Sequence, residues 1–294
     1  MAVIEHSDFQ KRMARRKLQG HIFHALCLLA ILIGLAMLGA LLYQVISQGW
    51  SRVDWSFLTS FPSRHPERAG IQAALLGSLY VVSLAGIIAF VLGVGSAIFL
   101  EEYAPRNWFA KVIQINIINL AGVPSIVYGI LGLEIFVRTV GLGKSVLAGS
   151  FTLALLILPI IIIAAEEAIR AVPPSIREGG YALGATRWQA IWHLVLPQAF
   201  PGILTGVILA VSRAVGETAP LIVMGALTFV PFAPDSPLSR FTVLPIQIFN
   251  WVSRPQAGFH EAAAAGIIVL LILLLGMNAF AVLLRNKFQK RLEG

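Results

Sequence analysis

The sequence predicts an all-α, polytopic membrane protein with six transmembrane helices, and three observations carry that prediction: composition, the length of the apolar runs, and the placement of basic residues. Of 294 residues, 57% are hydrophobic and only 12% are charged, with a mean hydropathy of +0.82. Soluble domains carry about 25% charged residues, so an ordinary water-soluble enzyme is excluded. Runs near 23–46, 73–100, 112–136, 146–165, 203–229 and 261–284 each reach the ~20 residues that cross a bilayer as a helix. With the N-terminus in the cytoplasm, 14 Lys and Arg residues fall inside (among them Lys11, Arg12, Arg106, Lys290 and Arg291) and 7 outside, with Arg213 left within a span. The excess of inside charge places both termini in the cytoplasm. It also accounts for the net charge of +8 without nucleic acid.

The basic stretch Lys11–Lys17 reads as a topology and lipid anchor. The first run is too long for a cleaved signal peptide and lacks a small-residue cleavage site. Cys27, the single cysteine, excludes an intrachain disulfide and reads as a small buried hydrophobe. The six histidines are scattered, so no metal cluster is expected. Trp50, Trp108 and Trp251 stand at span ends, where interfacial anchors belong. The second span repeats small residues (Gly77, Ser78, Ser83, Gly86, Gly93, Gly95, Ser96), which permits close helix approach.

The third span carries Asn116, Asn119, Ser125 and Tyr128, and Pro124 frees the carbonyl of Leu120. Interhelical hydrogen bonding explains the two asparagines; Asn119, Ser125 and Tyr128 are alternative lining for a polar path. Glu134 and Arg138 have the spacing of an ion pair near the outer end. Gly143-Lys144-Ser145 lacks the glycine five positions earlier that a phosphate-binding loop needs, since Arg138 stands there. Nucleotide must therefore be handled elsewhere. Glu166, Glu167 and Arg170 close the fourth span.

The loop between spans four and five, 173–197, contains two helix-start signals in series. Ser175 with Glu178, and Thr186 with Gln189, have capping-box spacing. Gly184 stands where a left-handed stop belongs, and Pro197 ends the second segment. Two short helices with a sharp turn at Gly184 are predicted. Trp188, Ile191, Trp192 and Val195 form an apolar stripe that faces either the bundle's own end or a partner's groove.

The fifth span holds Arg213 and Glu217, four apart, with Ser212, Gly216, Thr218 and Pro220 around them. Counted from Gly202, Arg213 lies roughly 15 Å into the span. An arginine there faces protein or a water-filled path, and its planar fork suits an oxyanion. The alternative is an ion pair that only locks two helices together.

The 178–197 segment resembles the signature loop of binding-protein-dependent ABC importer permeases, through Glu178, Gly184, Leu194 in the isoleucine position, and Leu196-Pro197. It departs at Gly179-Gly180, where the family has two alanines. The segments 210–220 and 123–129 resemble PstA-type permeases of phosphate importers. The resemblance implies a type I ABC importer permease, in which 1–70 is the tail, first span and external loop and 71–294 the permease core. It further implies coupling helices near 175–196, with Glu178, Gly184, Thr186, Trp188, Trp192, Leu196 and Pro197 meeting the ATP-binding subunit. Arg213, Glu217, Ser212 and Thr218 would line the substrate path. The implied partners are a second, PstC-type permease, a PstB-type ATP-binding dimer that uses ATP and magnesium, and a PstS-type external phosphate-binding protein. No cofactor is expected on this chain, and the bacterial inner membrane is the implied location.

Overall fold

The computed structural model describes residues 2–105, 107–226 and 229–293, with side chains for Phe9, Met13 and, within those ranges, 15–287. The side chains of Lys11, Arg12, Lys290 and Arg291, and all of Arg106, lie outside it. Among the described residues there is no strand. The helices are α1 (Ala2–Gly49), α2 (Trp55–Thr59), α3 (Gln72–Ile98), α4 (Trp108–Ala121), α5 (Ser125–Gly132), α6 (Val146–Arg170), α7 (Pro174–Ala182), α8 (Arg187–Ala190), α9 (Leu196–Gly216), α10 (Ala219–Met224), α11 (Leu244–Val252) and α12 (Ala257–Glu293). Five continuous helices are long and apolar enough to span a membrane, and a sixth is counted if the bent pair α4–α5 is one span.

α6 is the axis of the bundle, with α3 and α9 against it. Its apolar face meets Val81, Ala85 and Ala89 of α3 and Ala210 and Ala214 of α9 in one buried cluster. Small residues set the spacing, as expected. A methyl added at Gly93 would lie 2.7 Å from the Ile161 side chain, and one at Gly77 would collide with the Thr242 carbonyl. Gly95 differs, because nothing approaches it.

A second cluster joins α2, the start of α3, α11 and α12. Here Trp251 is 1% exposed and tilted against Phe57, so it is not the interfacial anchor that its position suggested. The reason is α11, a short helix that turns Trp251 inward beside Ile246 and Ile248. Trp50 and Trp108 do stay exposed. α1 touches little besides α12 and the turn that follows it, and its apolar face is uncovered. Cys27 is exposed on that face, which corrects its reading as a buried hydrophobe.

Two of the expected spans are interrupted. The third, read as one helix over 112–136, is α4 and α5 with a 102° bend between them. The fifth, read as continuous over 203–229, stops at Gly216 and resumes for six residues as α10.

Candidate functional site

Proline explains both breaks. Pro124 has no N–H to donate and its ring excludes the helical path for the preceding turn. The Leu120 carbonyl accepts instead from the Val123 N–H at 3.1 Å and from the Tyr128 hydroxyl at 2.7 Å. Tyr128 is buried, so its hydroxyl clips the bend from within. In span five, Pro220 cannot donate to the Gly216 carbonyl, and the chain leaves the helix with Glu217 extended at φ −74°, ψ 130°. Thr218 Oγ1 donates to the Gly216 carbonyl only at 3.5 Å. α10 closes at Gly225, φ +98°, a conformation that favours glycine.

The two breaks lie side by side. A Cβ placed on Gly129 of α5 would be 2.7 Å from both the Cα and the carbonyl oxygen of Pro220. Non-helical backbone at membrane depth is tolerated only where protein buries it or a water-filled cavity receives it.

Arg213 sits in the last turn of α9, where its charge complements the carbonyl end of the helix. Its Nε lies 3.5 Å from Glu217 Oε1, with the side chains 46% and 17% exposed. The pair is therefore not the pairing along one continuous helix that the spacing suggested, because Glu217 reaches back from outside the helix. Among the described residues this long contact is the only hydrogen bond of Arg213. Most of its five N–H donors remain open.

Ser212 points elsewhere. Its hydroxyl lies 2.7 Å from the Ile208 carbonyl and hydrogen-bonds Asn278 of α12, so it joins α9 to α12. Thr205 accepts from Arg285 farther along the same contact, at 3.3 Å. Ser125 is half-buried at the start of α5, and Asn116 and Asn119 are exposed. Asn116 donates to its own helix at the Val112 carbonyl, 2.8 Å away, which replaces the interhelical bond expected for it. Thr218 is half-buried in the break itself.

The 171–197 loop forms two short helices about Gly184, whose φ of +81° makes the left-handed stop. The Thr186–Gln189 capping box is present in both directions. The Ser175–Glu178 box is absent. Pro173 occupies the cap position and Pro174 starts the helix, which puts Ser175 inside the first turn. Pro197 does not terminate the second segment either. It lies in the first turn of α9 after a π-helical turn, Ile191–Val195, and such wider turns re-route the bonds that proline cannot make.

That π turn divides the apolar stripe. Ile191 and Val195 are buried, whereas Trp188 and Trp192 stack at 5.5 Å and stay 57% and 54% exposed. The two tryptophans, with Leu196 and Pro197, edge an apolar groove of about 720 Å³ whose far wall is the end of α3. The departure at Gly180 meets Leu194, which holds the isoleucine position of the signature. A Cβ at Gly180 would be 2.6 Å from Leu194 Cδ1, so the larger reach of leucine is accommodated by the missing methyl. Glu178 is exposed on α7.

Of the features set aside, Ser145 caps α6 and Glu134 pairs with Arg138 at 2.9 Å on the surface. Among the described residues no cluster of metal-ligating side chains occurs. The sequence singled out Glu166, Glu167 and Arg170 but not the Glu101, Glu102, Gln114 and Arg177 that complete their charged network. Paired glutamates closing span two were its available signal.

Residues 89–293 match the family described as binding-protein-dependent transport system inner membrane component. The chain is 35% identical to the phosphate transport system permease protein PstA of Mycobacterium leprae (strain TN), over 95% of this chain and 93% of that one. It is also 35% identical to the probable ABC transporter permease protein YqgI of Bacillus subtilis (strain 168), over 87% and 92% respectively. In fold it is similar to a chain of a bacterial ABC transporter involved in the import of the acidic polysaccharide alginate. That likeness has a TM-score of 0.65 at 16% identity, covering 94% of this chain and 99% of that one.

Proposed function

The chain belongs to the family of binding-protein-dependent transport system inner membrane components, and from that premise we propose that it is the permease subunit of an ATP-driven phosphate importer. It is an integral membrane protein, and its family works with an ATP-binding subunit and a substrate-binding protein. The finer assignment is a PstC-type permease beside it, a PstB-type ATP-binding dimer beneath it and a PstS-type phosphate-binding protein outside, in a bacterial inner membrane with the 171–197 loop in the cytoplasm. The chain is a transport subunit with no catalytic residue and no cofactor of its own; ATP and magnesium belong to the ATP-binding dimer.

The observation that carries the cargo is Arg213. A guanidinium with an open fork, beside two adjoining helix breaks, suits an anion that can take two parallel N–H donors. Glu217 holds the fork by one long contact, so an arriving oxyanion displaces little. Thr218, Ser125, Tyr128 and Asn119 are the polar groups near the breaks. The Gly184 turn, Thr186 and Glu178 lie at the loop surface that would meet the ATP-binding subunit, with Trp188, Trp192, Leu196 and Pro197 beside it.

The test is ATP-driven uptake by the reconstituted complex, with phosphate, sulfate and molybdate in competition. Phosphate uptake that Arg213→Ala reduces to background, with assembly intact, is expected. Preferential uptake of sulfate or molybdate would overturn the cargo, and undiminished uptake by Arg213→Ala would overturn the role of the arginine.

A further inference from the structure

Arg177 stands next to Glu178 on α7, yet it points into the bundle. Its side chain is 18% exposed, and that of its partner Glu102 is 6% exposed. Nε and Nη2 both donate to Glu102 Oε1, at 2.9 and 2.7 Å. The other edge of the fork donates to the Val172 carbonyl at 2.7 Å and the Ile169 carbonyl at 2.9 Å. Those two carbonyls lie at the end of α6, where helical partners run out. One guanidinium therefore joins three segments: the loop helix α7, the end of span four, and the π-helical turn Phe99–Tyr103 that closes span two.

A second arginine ties the adjacent glutamate of the same turn. Arg170 Nη2 lies 2.9 Å from both Glu101 and Glu166, and Nη1 lies 2.9 Å from Glu167. Glu166 also accepts from Gln114 of α4. The π turn sends neighbouring carboxylates to different arginines, and the network reaches spans two, three and four together.

We infer that Arg177 is a positioning residue that pins α7 to the ends of spans two and four, so that displacement of the loop is passed into the bundle as movement of those spans. The inference rests on the importer reading of this chain. An isolated α7 of nine residues would be marginal as a helix in water and would yield under a push. With the pin, it moves only if the π turn and the end of α6 move with it. Lysine substitutes only in part, because a compact ammonium does not present a planar fork to a carboxylate and two carbonyls at once.

The experiment uses the complete reconstituted complex and compares wild type with Arg177→Met, Arg177→Lys and Glu102→Gln. Phosphate taken up per ATP hydrolysed is expected to fall at least tenfold in Arg177→Met and Glu102→Gln while ATP hydrolysis continues, with Arg177→Lys between these and wild type. Spin labels on the exposed residues Leu183 and Phe99 give a second readout. In wild type their separation should hold on ATP binding, and in Arg177→Met it should change. Wild-type uptake per ATP in Glu102→Gln would overturn the pin, as would an unchanged label separation in Arg177→Met. Failure of both neutral variants to assemble would also overturn it, by making the cluster a folding element only. The wild-type arm decides the importer reading separately, since an inactive wild type leaves the label separations to judge the pin.

Discussion

Replacing Gly129 by alanine tests whether the two helix breaks truly meet. The new methyl would stand 2.7 Å from the Cα and the carbonyl oxygen of Pro220. Both are backbone atoms, so no side-chain rotation relieves the clash, and α5 must separate from α10. Overpacking of this kind costs about 1–3 kcal/mol. Alanine also raises helix propensity, by about 1 kcal/mol over glycine, which would hide part of the effect. Gly95→Ala is the control, because it adds the same methyl inside a helix with nothing within 4 Å. Propensity cancels between the two, leaving the overpacking term. At about 2 °C per kcal/mol, the thermal midpoint of the Gly129→Ala variant should lie roughly 2–6 °C below that of the Gly95→Ala variant. The assay is thermal inactivation of the purified complex, with phosphate uptake measured on the same samples. Equal midpoints and equal uptake would refute the side-by-side arrangement, and with it the placing of Arg213 beside two adjoining breaks.

Two further perturbations address the loop and the bend. Gly184 has φ +81° and open space around it, so Gly184→Leu strains only the backbone, by roughly 1–2 kcal/mol. ATP hydrolysis is expected to persist while phosphate uptake falls, and normal coupling in that variant would refute the turn's role. Tyr128→Phe removes the side-chain donor to the Leu120 carbonyl, at about 0.5–1.5 kcal/mol. The complex should assemble with a lowered thermal midpoint, and an unchanged midpoint would show that the hydroxyl does not clip the bend.

Much of this architecture is legible in the sequence because membrane depth leaves so few options. A run such as 146–165 has no alternative to a buried helix, and α6 is one. The Thr186–Gln189 box and the Gly184 stop are equally readable, because both are local hydrogen-bond geometry. The failures are places where a neighbour decides. Ser175 and Glu178 have the spacing of a cap, but Pro173-Pro174 start the helix two residues earlier. Ser212 sits next to Arg213, yet its hydroxyl is claimed by Asn278, 66 residues away. The Arg177–Glu102 pair spans 75 residues, a separation at which spacing carries no information. Pro124 and Pro220 signal interrupted helices, but the meeting of the two interruptions depends on Gly129, whose missing side chain only tertiary packing makes meaningful.

The loop and the arginine of the broken span are mechanically one piece. From Arg187 to Gly216 the chain runs as 30 residues of helix through the π turn, so Arg187 and Arg213 are roughly 39 Å apart along one rod at about 1.5 Å per residue. The rod is fixed at the loop end by the Thr186 cap, by Ile191 and Val195 in the core, and by Ala199 and Ile203 against α6. At the other end Ala210 and Ala214 pack against α6 and Ser212 meets Asn278 of α12, while the helix stops at Gly216 and the Arg213 side chain has one 3.5 Å contact, to Glu217. A tilt imposed at Gly184 is therefore carried along the packed rod to Arg213, whose side chain is the lightly held part. A packed rod that ends in a lightly held guanidinium is the distribution that an importer needs, since the motor must not be absorbed by its own contact surface and the anion must not be held fast.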